Sequence, residues 1–429
     1  MKKLFSCIVW AICLTTLCAA NVHGQADDVA DNRWSGGTFF TPANGYAQGN
    51  ALTLTWSITG DGTSIFGFNG EPTSDSDLIA MLDAVYGAGP GGSDLTQRPW
   101  FDEVESVFDR WASISGLSYQ YVTDDNADWT QTSLPSGVSG ARGDIRIGGH
   151  TIDGPNGVLA YNFFPNFGDM VIDTTDAANF SNELRLRNTI AHEVGHGLGL
   201  RHLESNDSRH LLEPFIDLNF DGPQFHEIVQ AQRGYGDAFE KTNGGVGNDT
   251  VGNATSLGTL SDGGLIEIGL DASDTTTIVT PDQVDFVSID DETDTDVFSI
   301  LINGDGLIDL ELEARGPTFN ASEQFDTDPQ VSVNYQERVD LTLEFIDQDG
   351  TTILGTADNF GLGGTEELLG LNVTAGTYFI RVSGIENTDA NLSDIQFYRL
   401  AAAFTAVPEP SSLVVLGALG LFVLRRKRS

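Results

Sequence analysis

The stretch "TIAHEVGHGLGLRHL" contains His192-Glu193-x-x-His196-x-x-Gly199-x-x-His202. On an α-helix, residues four apart lie one above the other on a single face. His192 and His196 can then aim imidazole nitrogens at one ion about 2.0–2.1 Å away. A third ligand cannot continue that face in the same geometry. Gly199 permits the left-handed conformation that ends a helix, so the chain can turn and bring His202 in from another side. Three neutral imidazoles leave a fourth position open, which suits one catalytic Zn²⁺. Such an ion lowers the pKa of a bound water towards 7 and polarises a carbonyl. Glu193, beside the first ligand, reaches the fourth position and is placed to take the water's proton and pass it to a leaving amine. H-E-x-x-H alone is a loose pattern; the glycine and the third histidine at fixed spacing make it specific.

Elements must exist to hold these groups. A helix is expected from about Asn182 to Leu198, with Ile190, Val194 and Leu198 at i, i+4 and i+8 on its buried face. Trp100, Val104, Val107, Phe108 and Trp111 recur at helical spacing, between Pro99 at a permitted first turn and Gly116 at a stop. "ALTLTWSIT" (51–59) alternates apolar and polar residues, the pattern of a half-buried strand. "LSYQYV" (117–122), "GDIRIGG" (143–149) and "GVLAYNFF" (157–164) also read as strands. Residues 30–240 are therefore expected to form an α+β domain. Residues 241–255 are rich in Gly, Asn and Thr and read as a linker. In 256–405, short strand candidates follow one another between turn residues, which suggests an all-β sandwich.

The "HEVGHGLGLRH" stretch resembles the matrixin family of metzincin zinc peptidases, and the resemblance extends over roughly residues 30–240. "WFDEVESVFDRWASISGLSYQYV" is similar to the family's first helix and following strand, "DGPNGVLAYNFFPNFGDMVIDTTD" to its metal-binding loop and edge strand, and "FHEIVQAQRGYGD" to its closing helix. The resemblance implies a zincin fold with the substrate extended along the edge strand containing Val158–Asn162, by strand addition. It implies a calcium site in the loop, with Asp153, Asp173 and Asp176 as carboxylate ligands and Gly154, Asn156 and Val158 as carbonyl donors. Tyr161 and Val171 stand where many members place histidines of a second, structural zinc, so none is expected. Leu212 stands at the place of the family's Met-turn, and no methionine follows Met170. An apolar leucine can still floor the site.

Residues 247–404 resemble bacterial prepeptidase C-terminal domains through "NDTVGNATSLG", "DTDVFSILI" and "LNVTAGTYFIRVSG". The expected fold class is thus an α+β zincin/metzincin catalytic domain followed by an all-β jelly-roll-like sandwich of accessory role. The acidic turn Asp290–Asp296 reads as solvated loop charge, with calcium binding as the alternative. "DLNFDG" (217–222) looks like the start of an EF-hand loop, but its twelfth position is Ile228 and Pro223 interrupts it. His150 reads as a loop hydrogen-bond donor, and His210 and His226 as surface residues.

The two ends read as addresses. Residues 1–24 have Lys2 and Lys3, an apolar run from Leu4 and small residues at the end, the pattern of a secretory signal peptide. All 3 cysteines (Cys7, Cys13 and Cys18) fall inside it, so the remaining chain has no disulfide, thiol nucleophile or cysteine switch. Residues 406–429 carry Pro408-Glu409-Pro410, an uncharged run from Ser411 to Leu424 and a basic end. Fourteen helical residues rise only about 21 Å, which suits transient membrane association. The tail resembles the PEP-CTERM signal, and this implies recognition by an exosortase and a cell-surface or extracellular-matrix location in a Gram-negative bacterium. With 62 acidic and 21 basic residues the net charge is −41, which excludes a sequence-independent nucleic-acid binder and disfavours acidic substrates.

The function these features imply is a secreted zinc-dependent endopeptidase. It would hydrolyse extended polypeptides by Glu193-assisted attack of an activated water. The alternatives are a catalytically retired surface or matrix binding protein on a metzincin scaffold, and a zinc hydrolase of a non-peptide bond. The intact Glu193 argues against the first, because a retired enzyme has no chemical need for it.

Overall fold

The computed structural model describes residues 33–38, 45–68, 70–130, 137–205, 209–291, 293–323, 330–386 and 395–407. The segment 1–24 and residues 408–429 of the tail lie outside the described residues. Among the described residues, no helix is long and apolar enough to cross a membrane.

Five strands make the first sheet: β1 (Leu52–Ile58), β2 (Leu117–Tyr121), β3 (Ile145–His150), β4 (Ala160–Asn162) and β5 (Met170–Asp173). Their order is β2-β1-β3-β5-β4. All pairings are parallel except β4, which runs antiparallel along β5 at the edge. The alternation in β1 predicts one solvated face, and this expectation is corrected: β1 is buried almost throughout. On one face Trp56 stacks on Phe108 (4.4 Å between centroids) and Phe101 (5.6 Å). On the other, the Thr55 and Ser57 hydroxyls donate to the carboxylates of Asp144 and Asp124, each at 2.8 Å. A satisfied hydroxyl tolerates burial, so a polar residue here does not mark the surface.

The four longest helices among the described residues are α1 (Leu78–Tyr86), α2 (Phe101–Ser113), α3 (Glu183–Gly197) and α4 (Phe225–Tyr235). The apolar stripe of α2 is buried as its spacing predicts, and the Trp111 indole donates to Ala191 O of α3 at 3.2 Å. Two further bonds hold the end of α3. The Trp34 indole donates to Gly197 O at 2.8 Å, and Tyr235 OH to Leu198 O at 2.9 Å.

The carboxy-terminal part is a sandwich of two five-stranded sheets. One orders Leu265–Ile268, Gln396–Ala406, Gly306–Arg315 and Thr365–Val373, with Ser288–Ile289 also against Gln396–Ala406. The other orders Ile353–Ala357, Val339–Ile346, Gly376–Glu386, Thr295–Ile302 and Thr255–Leu260. Gly306–Arg315 alternates buried and exposed residues, so one face of the strand packs between the sheets with Phe298, Ile300, Leu343 and Ile380. A third, three-stranded sheet links the two halves. In it β7 (Thr318–Glu323) lies between β6 (Leu203–Ser205) and β8 (Val331–Asn334).

Reading Asp290–Asp296 as solvated charge is corrected at two positions. Asp290 and Asp296 are buried, and Asp296 accepts bonds from Asn248 Nδ2 (2.9 Å) and Tyr398 OH (2.6 Å). The partners lie about 50 and 100 residues away in the sequence, so no local pattern announces this burial.

Candidate metal centre

The residues that could hold a metal are set by how α3 begins and ends. Asn182 caps its start, its side chain accepting Arg185 N at 3.0 Å, as expected of an Asn before an acidic first turn. From Asn188 to Gly197 every residue of α3 is buried. The chain leaves the helix through Gly199, whose φ of 107° a side chain would oppose. Leu200 N then donates back to Gly195 O at 3.0 Å. This reversal carries His202 across to the histidines of α3.

The three ring nitrogens converge. Nε2 of His192 lies 3.0 Å from that of His196 and 3.1 Å from that of His202, and the last two are 3.2 Å apart. Three nitrogens each about 2.0–2.1 Å from one tetrahedral ion would be separated by about 3.3 Å, so the triad is close to the spacing zinc requires. Nδ1 of His192 and of His196 each lies 2.7 Å from a backbone carbonyl, Leu211 O and Leu200 O respectively. That pairing puts the proton on Nδ1 and leaves the Nε2 lone pair facing the centre. Burial, reinforced by the neighbouring ring of His202, pushes His192 down to about 3. The same causes hold His196 well below the usual histidine range. Both imidazoles are thus neutral, the form that ligates. The donor set fits a zinc ion.

Glu193 is fully buried, and neither carboxylate oxygen has a hydrogen-bond partner among the described residues. Burial raises its carboxyl well above the usual range. A buried, unpartnered carboxylate is costly, which singles Glu193 out beside the histidines.

Leu212 packs against the helix that carries His192 and His196. A Cβ on Gly195 would lie 3.0 Å from Leu212 Cδ2, so the glycine lets the leucine rise against the helix. Leu212 N donates to Glu227 Oε1 at 3.1 Å, and Glu227 Oε2 accepts Gln224 N at 3.0 Å. Burial lifts the Glu227 carboxyl to about 7 against these and further backbone hydrogen bonds. A carboxyl raised on folding favours the folded chain while protonated, and its ionisation costs stability as pH climbs from about 4.5 through 7. The zinc-free chain should therefore lose stability across that window, by up to about 3 kcal/mol for Glu227 at about 1.4 kcal/mol per pKa unit. Urea denaturation at pH 5 and pH 8 checks this, and Glu227→Gln should flatten the difference.

The edge strand and the loop before it flank the triad. The outer side of β4 carries no strand among the described residues. A Cβ on Gly197 would come 2.8 Å from Asn162 Nδ2, so this glycine permits α3 to lie against β4. The Phe164 ring stands edge-on to His196 at 5.8 Å. Asp173 Oδ2 accepts the backbone N–H groups of Ile152, Asp153 and Gly154 at 3.1–3.3 Å. Asp176 Oδ1 accepts Asn156 N at 2.7 Å, and Asp153 accepts Val158 N at 3.0 Å. Gly154 and Asn156 take positive φ to make the turn. These bonds tie the loop to Asp173 and Asp176, and Asp176 Oδ2 is buried with no hydrogen-bond partner among the described residues. Tyr161 and Val171 face each other in register on β4 and β5. Tyr161 OH donates to Glu71, whose carboxylate also lies 3.6 Å from Nε2 of the buried His150.

Several expectations change. His210 and His226 are buried, not on the surface, with their rings 5.8 Å apart. They are covered by Phe319 of the carboxy-terminal part, which neither local sequence foretells. The 217–222 loop is held by the Asn188 side chain, which donates to Asp217 O and Phe220 O and accepts Gly222 N. Sequence reasoning missed Phe164, Glu227, Trp34 and Tyr235. Of these only Glu227 left a local signal, the Gln224–Glu227 capping box that opens α4.

Residues 85–227 match the sequence model of the Matrixin peptidase family, and residues 406–428 match the PEP-CTERM protein-sorting motif. The hatching enzyme of Paracentrotus lividus is 35% identical over 128 residues, 28% of this chain and 19% of that protein. Interstitial collagenase of Oryctolagus cuniculus is 33% identical over 126 residues, 28% of this chain and 25% of that protein. Matrix metalloproteinase-2 of Drosophila melanogaster is 35% identical over 108 residues, 23% of this chain and 13% of that protein. The chain thus spans a quarter or less of the length of these relatives. The pre-peptidase C-terminal domain of a Bacillus anthracis collagenase aligns with 35% of this chain and 93% of its own at 14% identity, with a TM-score of 0.19.

Proposed function

We propose that this chain, with its matrixin peptidase domain and its PEP-CTERM motif, is a secreted zinc-dependent endopeptidase acting on extended polypeptides. The carrying observation is the convergence of three histidine nitrogens within 3.2 Å beside the unpartnered carboxylate of Glu193. His192, His196 and His202 would hold one zinc ion. When bound, that ion would supply the positive charge that acidifies a water and polarises the scissile carbonyl. Glu193 takes the proton of the attacking water and delivers it to the amide nitrogen as the C–N bond breaks. The water oxygen stays on the new carboxyl group. Among the described residues no strand pairs with the outer edge of β4, which leaves it open to a substrate strand and favours extended segments over folded ones.

The loop beside β4 is read as a calcium site formed by Asp153, Gly154, Asn156, Val158, Asp173 and Asp176. Its support is that Asp173 and Asp176 reach from the end of β5 to the backbone of the loop that carries Asp153, and that Asp176 Oδ2 is buried and unpartnered among the described residues. No second, structural zinc is proposed, because an aromatic and an aliphatic side chain, Tyr161 and Val171, offer it no imidazole. Residues 1–24 would direct export, and an exosortase-type machinery would read the tail and leave the protein at the cell surface or in the extracellular matrix. The sandwich, read as jelly-roll-like, is assigned an accessory role.

The expected products from an unfolded protein such as casein are internal peptides with new amino termini throughout its sequence. Mass-spectrometric mapping of the digest checks this. Products trimmed only from the ends would reject an endopeptidase, and no product at all would favour the retired binding protein.

A further inference from the structure

The hairpin β7–β8 is inserted between two strands of the sandwich, Gly306–Arg315 and Val339–Ile346, yet it docks on the peptidase half. β7 pairs antiparallel with β6, in the register Ala321↔Ser205, Ser322↔Glu204 and Glu323↔Leu203. β6 is the three residues directly after His202. On its other side, Leu203 N donates to Leu212 O at 3.1 Å and Ser205 N to Glu213 Oε1 at 2.8 Å. Leu211 O in turn accepts from His192 Nδ1 at 2.7 Å. A short path of hydrogen bonds therefore runs from the hairpin to His192, and β6 joins it directly to His202.

Packing follows the same path. Phe319 of β7 is buried, with its ring 4.8 Å from His210, 5.6 Å from His226 and 5.3 Å from Tyr335. Phe319, Val333 and Tyr335 belong to the same apolar cluster as Leu203, Leu211 and Leu212, and not to the core between the sandwich sheets. A three-residue strand has too few bonds to fix itself, and here it is clamped between a partner strand and the Leu212–Glu213 segment. Metal ligands bind tightly only when their supporting shell holds them within a fraction of an ångström.

We propose that the β7–β8 hairpin is a positioning element of the metal site, anchored by Phe319, so that the sandwich sets the zinc affinity of the peptidase half. This rests on the reading of the histidine triad as a zinc site. It makes the carboxy-terminal part more than a tethered accessory.

The test measures the zinc dissociation constant of the full chain by competition with a chromophoric chelator, alongside melting temperature. Phe319→Ala should raise that constant at least about 10-fold, within the range seen when groups supporting a metal ligand are lost. Phe319→Leu, which keeps most of the apolar volume, should raise it about threefold and carries the comparison if the alanine variant does not fold. Leu343→Ala is the control. It empties the core between the sandwich sheets, should lower the melting temperature comparably, and should leave the zinc constant within twofold. Zinc constants within twofold of wild type in both Phe319 variants would overturn the proposal. So would an equal rise in Leu343→Ala, which would show general destabilisation. A wild-type chain that binds no zinc would overturn the zinc reading itself, and this proposal with it.

Discussion

Replacing Glu193 by Gln is expected to lower kcat/KM on an unfolded polypeptide by about 10²–10⁴-fold, the range for loss of a general base. The amide has nearly the same size, so the fully buried position should stay packed. It cannot accept the water's proton, the role proposed for this side chain. The loss should appear in kcat with KM little changed, because Glu193 takes part in the transition state and not in holding substrate. Zinc content should remain one ion per chain, since the three imidazoles are untouched. Steady-state cleavage beside metal analysis measures both. Retention of a tenth or more of wild-type activity would remove Glu193 from the mechanism.

His202→Ala is expected to act on the metal and not on proton transfer. It deletes the ligand that the turn at Gly199 delivers and leaves two nitrogens 3.0 Å apart on one helix face. Zinc affinity should fall by more than the 10–100-fold typical of losing a supporting group, because a direct donor is lost. Stability should follow. Zinc at about 1,000 times its dissociation constant adds about 4 kcal/mol to a folded wild-type chain. Wild type should therefore melt well above its chelated form, whereas for His202→Ala at the same zinc concentration the gain should shrink to about 1.4 kcal/mol or less. A variant that keeps the zinc-dependent increase in melting temperature would place the third ligand elsewhere.

The triad was legible because its information is local. A helical repeat of four, a glycine and one more histidine determine where three nitrogens go, and α3 needs only its Asn182 cap and Gly199 to end as read. The expected strands of the peptidase half are present. The burial of β1 on both faces was not legible, because Thr55 and Ser57 are satisfied by Asp144 and Asp124, 89 and 67 residues further on. The surface reading of His210 and His226 failed for the same reason. Phe319, which covers them, comes from a hairpin roughly 100 residues later in the chain, and hydrophobic periodicity cannot report a contact made at that distance. The support under the triad, from Leu212 through Glu227 to α4, was half visible: the leucine stood out as a departure, and the carboxylate that holds its backbone did not.

The central claim is a zinc ion on His192, His196 and His202 that does chemistry with Glu193. Its most direct test is casein cleavage by one preparation of the full chain, followed through chelation and stepwise return of zinc. Cleavage is expected to stop on chelation and to return in proportion to zinc until one ion per chain is bound. Glu193→Gln carried through the same steps binds the ion and stays silent. Cleavage that persists in the metal-free chain, or zinc-loaded Glu193→Gln cutting at the wild-type rate, would contradict it.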